Sequence, residues 1–120
     1  MSPADMAERW NALWNGNLGL ADTLLTDDFL IHFAGADAAA LAGDAVRGPA
    51  QLATYIDGFR AARPGLRYTV ESSPVGDATG FAYRWGEAGD IAERSGIDLV
   101  RVDGERIAEV WSVVGGRRFA

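Results

Sequence analysis

An α+β fold, with helices first and an antiparallel meander after them, is the reading that three features of this sequence support. Apolar residues recur at helical spacing as far as Phe59, and beyond Pro64 they alternate. In the last quarter two alternating runs flank an Asp103-Gly104 pair, a strong hairpin signal.

Ser2-Pro3-Ala4-Asp5 has the form of a helix start: a Ser cap, Pro at the first helical position and an acid at the third. Met6, Trp10, Leu13 and Trp14 then mark one helical face, and Asn15-Gly16-Asn17 ends it. A short second helix is expected over 21–25. Asp27-Asp28 leads into a strand over 29–33. The Ala- and Gly-rich stretch 34–47 has no firm period and is expected to be a loop with one helical turn. Gly48-Pro49 opens a third helix with Leu52, Tyr55, Ile56 and Phe59 on its apolar face, and Pro64-Gly65 stops it. The remainder reads as strands. Residues 66–70 alternate, Gly76-Asp77 turns, Phe81, Tyr83 and Trp85 alternate with Ala82, Arg84 and Gly86, and Gly89-Asp90 turns again.

The final hairpin, 96–112, carries a charged residue, Asp98, inside an apolar first strand. Pointed inward, that carboxyl must be paired, neutralised or put to use. A two-residue loop at Asp103-Gly104 would set Arg101 against Arg106 and Asp98 against Glu109. A three-residue loop with Gly104 left-handed and a bulge pairs Arg101 with Glu105, Leu99 with Ile107 and Asp98 with Ala108. Like charges directly opposite each other destabilise, so the bulged turn is expected. It places Asp98, Val100, Ala108, Val110 and Ser112 on the inner face, with Arg106 nearer the turn, and Leu99, Ile107, Glu109 and Trp111 on the outer one.

The 120 residues suit one domain, 1–120, with a single core. A formal charge of −6 and no Lys/Arg cluster argue against nucleic-acid binding. With no cysteine there is no disulfide, thiol nucleophile or thiolate metal site, and with one histidine a transition-metal site is not expected. No long apolar run and no signal-peptide pattern is present, so a cytoplasmic protein that does not bind membranes is expected.

Five pieces of the chain together resemble the SnoaL-like branch of the nuclear transport factor 2-like superfamily. They are Arg9-Trp10 to Asn15-Gly16, the run from Thr26 to His32, Arg47-Gly48-Pro49, the run from Arg63 to Glu71, and the final hairpin. The resemblance implies a conical barrel of three N-terminal helices packed in a strongly curved antiparallel sheet around a deep apolar pocket, and a homodimer formed through the outer sheet face. Relatives of this kind include ketosteroid isomerases, polyketide cyclases and limonene epoxide hydrolases. The segment from Ile97 to Arg101 looks like the isomerase segment whose Asp, kept neutral by an apolar site, donates into an oxyanion hole. The helix-one tyrosine of that pattern falls at Trp10, and its general base at or beside His32-Phe33. The acid that the cyclases carry at the end of the last strand falls at Ser112.

Two functions are open. One is cofactor-independent acid–base chemistry on a hydrophobic, oxygen-bearing small molecule, whether isomerisation, cyclisation or epoxide opening. Asp98 would then be the proton donor or oxyanion stabiliser and His32 the base, with Trp10, Trp14, Tyr55, Phe59, Val110 and Ser112 as substrate-binding wall. The other is a non-catalytic ligand-binding or dimeric module of the same fold. Arg84 either faces solvent or pairs with Asp98. Trp85 and Trp111 read as packing or dimer contacts. Among small apolar neighbours Asp98 would have a raised pKa, and an Asn in its place would preserve or raise stability at neutral pH.

Overall fold

The computed structural model describes residues 1–35, 45–89 and 94–119; most of the expected loop over 34–47, and Asp90 of the expected turn, lie outside the described residues. Helix α1 spans Pro3–Trp14. The Ser2 hydroxyl accepts from the Asp5 N–H while Asp5 accepts from the Ser2 N–H, which satisfies two otherwise orphaned donors of the first turn. A 3₁₀ turn, Leu18–Leu20, leads into the one-turn α2, Ala21–Leu24. Helix α3 spans Gly48–Ala61, with Pro49 in its first turn and the Arg47 N–H donating to Gln51 Oε1 at 2.8 Å.

Among the described residues six strands follow or interleave: β1 Leu25–Gly35, β2 Arg67–Val70, β3 Val75–Asp77, β4 Gly80–Ala88, β5 Ser95–Asp103 and β6 Arg106–Val114. Their order is β1-β6-β5-β4-β2, with β3 also on β4. The helices pack against this curled sheet, as the sequence leads one to expect, but the sheet is mixed and unclosed rather than a fully antiparallel barrel: β1 runs parallel to β6. A parallel partner far along the chain leaves no local sequence mark, because it needs a long crossover rather than a turn. Here that crossover carries α3 from one edge of the sheet to the other. Trp10, Leu13, Phe29, Ile31, Leu52, Ile56, Phe81 and Val110 are fully buried between the helices and the inner sheet face.

The hairpin register differs from both expected alternatives. Asp103 pairs with Arg106 and Val102 with Ile107 across a two-residue Gly104-Glu105 loop, with Gly104 left-handed (φ +64°). The bulge sits at Ala108, so Arg101 pairs with Glu109 and Asp98 with Ser112. Two opposite-charge pairs, Asp103 with Arg106 and Arg101 with Glu109, replace the like-charge clash. The bulge also turns both Ile107 and Ala108 inward, which moves Ile107 from the expected outer face into the core. Among the described residues no helix is long and apolar enough to cross a membrane.

Candidate functional site

Strand β4 presents Phe81, Tyr83, Trp85 and Glu87 to the interior by simple alternation. Strand β5 answers with Asp98 opposite Tyr83, and β6 with Ser112 opposite Asp98. Tyr83, Trp85, Glu87, Asp98 and Ser112, with Trp10, Asn11 and Trp14 of α1, Ile31 and Phe33 of β1, Phe59 of α3, Tyr68 of β2, Arg94 before β5 and Val114 of β6, line a cavity. Its wall is mainly aromatic and apolar, with a few polar groups converging on it, the character of a small-molecule site. Trp14 organises the aromatic wall, standing edge-on to Trp10, Phe33, Phe59 and Tyr68 at centroid separations of 5.9–6.2 Å.

Asp98 is 5% exposed. Trp10 Nε1–H donates to its Oδ2 at 2.8 Å, and Trp85 Nε1–H donates to its Oδ1 at 2.9 Å. The Ser112 hydroxyl is a third hydrogen-bond partner. Burial pushes the carboxyl above its ordinary range, while the three hydrogen bonds pull it back toward the charged form. The neighbouring Tyr83 and Tyr68 hydroxyls are both pushed up, chiefly by burial, and remain neutral at ordinary pH. Arg84 does not reach Asp98. Its neighbours on β4 in the alternation, Tyr83 and Trp85, point inward, and Arg84 is exposed, near the Glu71 backbone.

A second polar group borders the cavity along β4. Glu87, 1% exposed, receives Arg94 Nε–H at 2.7 Å and Nη2–H at 3.0 Å, and Tyr68 OH lies 3.5 Å from Glu87 Oε2. Tyr68 is fixed by α1: Asn11 and Asn15 both donate to its carbonyl, at 3.1 and 2.9 Å, and its N–H donates to Asn15 Oδ1 at 2.7 Å. That staple sets the distance between the end of α1 and the β2 edge.

Of the residues singled out in the sequence, Asp98, Trp10, Trp14, Phe59 and Ser112 line this cavity. Tyr55 and Val110 do not: Tyr55 packs behind Trp14 and Phe33, and Val110 is sealed in the core beside Val100. His32 lies on the other side of the sheet. Ile31 and Phe33 point into the cavity, so β-alternation turns His32 outward, where it bonds Glu109 Oε2 at 2.7 Å and stacks on Trp111 at 5.5 Å. Asp98 and His32 therefore do not meet. Trp85, expected as a packing or dimer contact with its face left open, proves to be a partner of Asp98; its shared parity with Phe81 and Tyr83 is the signal that could have placed it inward. Glu87 carried the same parity signal; Arg94, Asn11 and Asn15 carried none.

The profile of the SnoaL-like domain family matches residues 6–110. No curated protein matches the sequence. The chain is similar in structure to a candidate isomerase of the SnoaL-like family from Agrobacterium tumefaciens, with TM-score 0.74 at 20% identity, over 93% of this chain and 96% of that one. It is similar to IdmH, a candidate polyketide cyclase from Streptomyces antibioticus, with TM-score 0.75 at 19% identity, over 93% and 91%. A candidate ketosteroid isomerase from Kribbella flavida aligns with TM-score 0.69 at 16% identity, over 92% and 76%. At these identities the likeness concerns the fold.

Proposed function

The chain belongs to the SnoaL-like domain family, and on that premise we propose that it is a cofactor-independent enzyme moving a proton on an apolar, oxygen-bearing small molecule, with Asp98 as the proton-handling group. One observation carries this reading: a carboxyl buried at the wall of an aromatic cavity, with burial raising its proton affinity. An apolar site excludes water and favours a ligand of the same character, while one poised acid–base group supplies the chemistry. Isomerisation and aldol-type cyclisation of a ketone both begin with loss of a proton next to a carbonyl. The names of the structural neighbours, cyclases and isomerases, agree with that class.

A second reading, a ligand-binding module without turnover, is favoured by the position of His32, which leaves Asp98 without the base expected beside it.

Exchange in D₂O separates the two. Cyclic ketones and 1,3-diketones are incubated with the protein, and loss of their α-proton signals is followed by NMR. The wild type is expected to speed exchange of at least one ligand, Asp98→Asn to abolish that effect, and His32→Gln to leave it unchanged. Binding without exchange across the panel would favour the non-catalytic module. Loss of exchange in His32→Gln would return the base to His32.

A further inference from the structure

We propose that Trp10 and Trp85 are positioning residues that hold Asp98 as an oriented, hydrogen-bond-accepting carboxylate, so that the site takes a proton from its ligand rather than lending one to it. The inference rests on the reading of Asp98 as the proton-handling group and says which way the proton moves first.

The two indoles arrive from different elements, Trp10 from α1 and Trp85 from β4, and each bonds a different carboxyl oxygen. An indole N–H can only donate. A hydroxyl or amide partner would turn to suit either protonation state, whereas these two cannot. A neutral Asp98 must place its own hydrogen on one of the two oxygens, and that oxygen then becomes a poorer acceptor for its indole. The pair therefore favours the ionised form and fixes the plane of the carboxyl. Trp85 is itself held in place, because its ring packs directly on Gly96, where an added Cβ would sit 2.1 Å from Cζ2. Trp10 is fully buried and packs on Trp14 and Phe29.

Burial works in the opposite direction and raises the carboxyl's proton affinity. A group kept ionised by its geometry yet hungry for a proton is a base. Among the described residues, the remaining charged and titratable neighbours do not change that assignment. Tyr83 and Tyr68 stay neutral, Glu8 of α1 acts on Tyr83, Glu87 is held by Arg94, and Arg84 and His32 face the other side of the sheet.

The step balances without a further reactant. Asp98 takes a proton from the carbon beside a carbonyl, the C–H electron pair becomes the enolate π bond, and the negative charge passes to the carbonyl oxygen. Neutral Asp98 then returns the proton to another carbon of the same enolate or to the alkoxide formed on cyclisation. The ligand class is thus a carbon acid, a ketone or 1,3-dicarbonyl on an apolar frame. An epoxide, which needs a proton donated to its oxygen as it opens, does not fit a carboxyl held in this form.

The test is a carbon-13 titration of the Asp98 carboxyl in the whole protein, with the indole N–H resonances followed alongside. In the wild type, both indole protons should move with the same midpoint as the carboxyl. In Trp85→Phe the midpoint should rise, with proton affinity increasing about tenfold as a charge-assisted bond is lost. Ser112→Ala should shift it in the same direction. A midpoint that stays put or falls in folded Trp85→Phe overturns the proposal. So do indole protons that ignore the carboxyl titration, which decides alone if Trp85→Phe does not fold. Shifts as expected without ketone exchange would leave the clamp standing and remove the enzymatic reading. Exchange without the shifts would do the reverse.

Discussion

Asp98 and Glu109 lie on adjacent antiparallel strands, β5 and β6, and present the same functional group to opposite faces of one sheet. Asp98 faces inward, meets two indole N–H groups and a hydroxyl, and is pushed up by burial. Glu109 faces outward, bonds His32 at 2.7 Å and Arg101 at 3.3 Å, and is held below its ordinary value, first by the His32 bond. Strand alternation, shifted in phase on β6 by the bulge at Ala108, decides which carboxyl is buried at the cavity wall and which joins a surface ion pair. The proton affinity of each carboxyl follows the face it takes, and the register sets that face.

Substitutions at the two positions should show the contrast most strongly. Asp98→Leu strips the acceptor from two buried N–H donors and a hydroxyl at about 1–3 kcal/mol each, and the added apolar burial offsets part of that. A net loss of about 3 kcal/mol or more is expected from urea unfolding. Asp98→Asn keeps one acceptor but turns an NH₂ toward the other indole, so it should cost about 1–3 kcal/mol. This reverses the expectation of a neutral or stabilising Asn, which rested on purely apolar neighbours around Asp98. Glu109→Gln, at a partly solvated pair, should stay within about 1 kcal/mol. A Leu variant as stable as the wild type would show that the inner carboxyl anchors nothing.

The pH dependence sharpens the comparison because the two carboxyls act with opposite sign. For Asp98 the native state binds the proton more tightly than the unfolded chain. Its contribution is therefore greatest at low pH and declines as pH rises from the ordinary carboxyl value through the raised native one. Glu109 is the reverse: its stabilisation is present above its ordinary value and is lost as pH falls through the lowered native one. Urea midpoints measured from about pH 3 to pH 7 should show acid sensitivity reduced in Glu109→Gln, and the decline above about pH 4 reduced in Asp98→Asn. Parallel curves for both variants would mean that neither titration is linked to folding.

Alternation and capping were legible in the sequence because they are local. The Ser2 cap, the Pro49 helix start and the alternation of Phe81, Tyr83 and Trp85 with Ala82, Arg84 and Gly86 each follow from residues within a few positions, though alternation did not say which face is inner. Asp98 stood out for the same reason, as a charge among apolar neighbours. What surrounds it was not legible, because Trp10 lies 88 positions away and is brought to the carboxyl by the packing of α1. The parallel β1–β6 pairing is equally remote, and it is what carries His32 onto Trp111. The bulge at Ala108 was missed by a few residues. The charge-pairing argument was sound, but a Gly104-Glu105 loop also satisfies it, and only the packing of Ile107 into the core chooses between them.

The outer face offers the gentlest break. Leu99 pairs with Trp111 and Ile97 with Val113, and these four are 50, 38, 41 and 50% exposed, forming an apolar band beside the His32–Glu109–Arg101 group. A contiguous apolar patch of this kind on a sheet is suited to burial against a second copy, and a two-fold pairing of identical faces is the commonest way to do it. The wild type is therefore expected to scatter light as a dimer. Trp111→Lys adds a charge to the band without touching the cavity, so it should dissociate the dimer while changing monomer stability by no more than about 0.5 kcal/mol. The carboxyl midpoint of Asp98, one strand away but facing inward, should not move. A wild type that remains monomeric at high concentration would leave this band without a partner. A shift of the Asp98 midpoint in Trp111→Lys would show that the two faces of the sheet are not as independent as their opposite carboxyls imply.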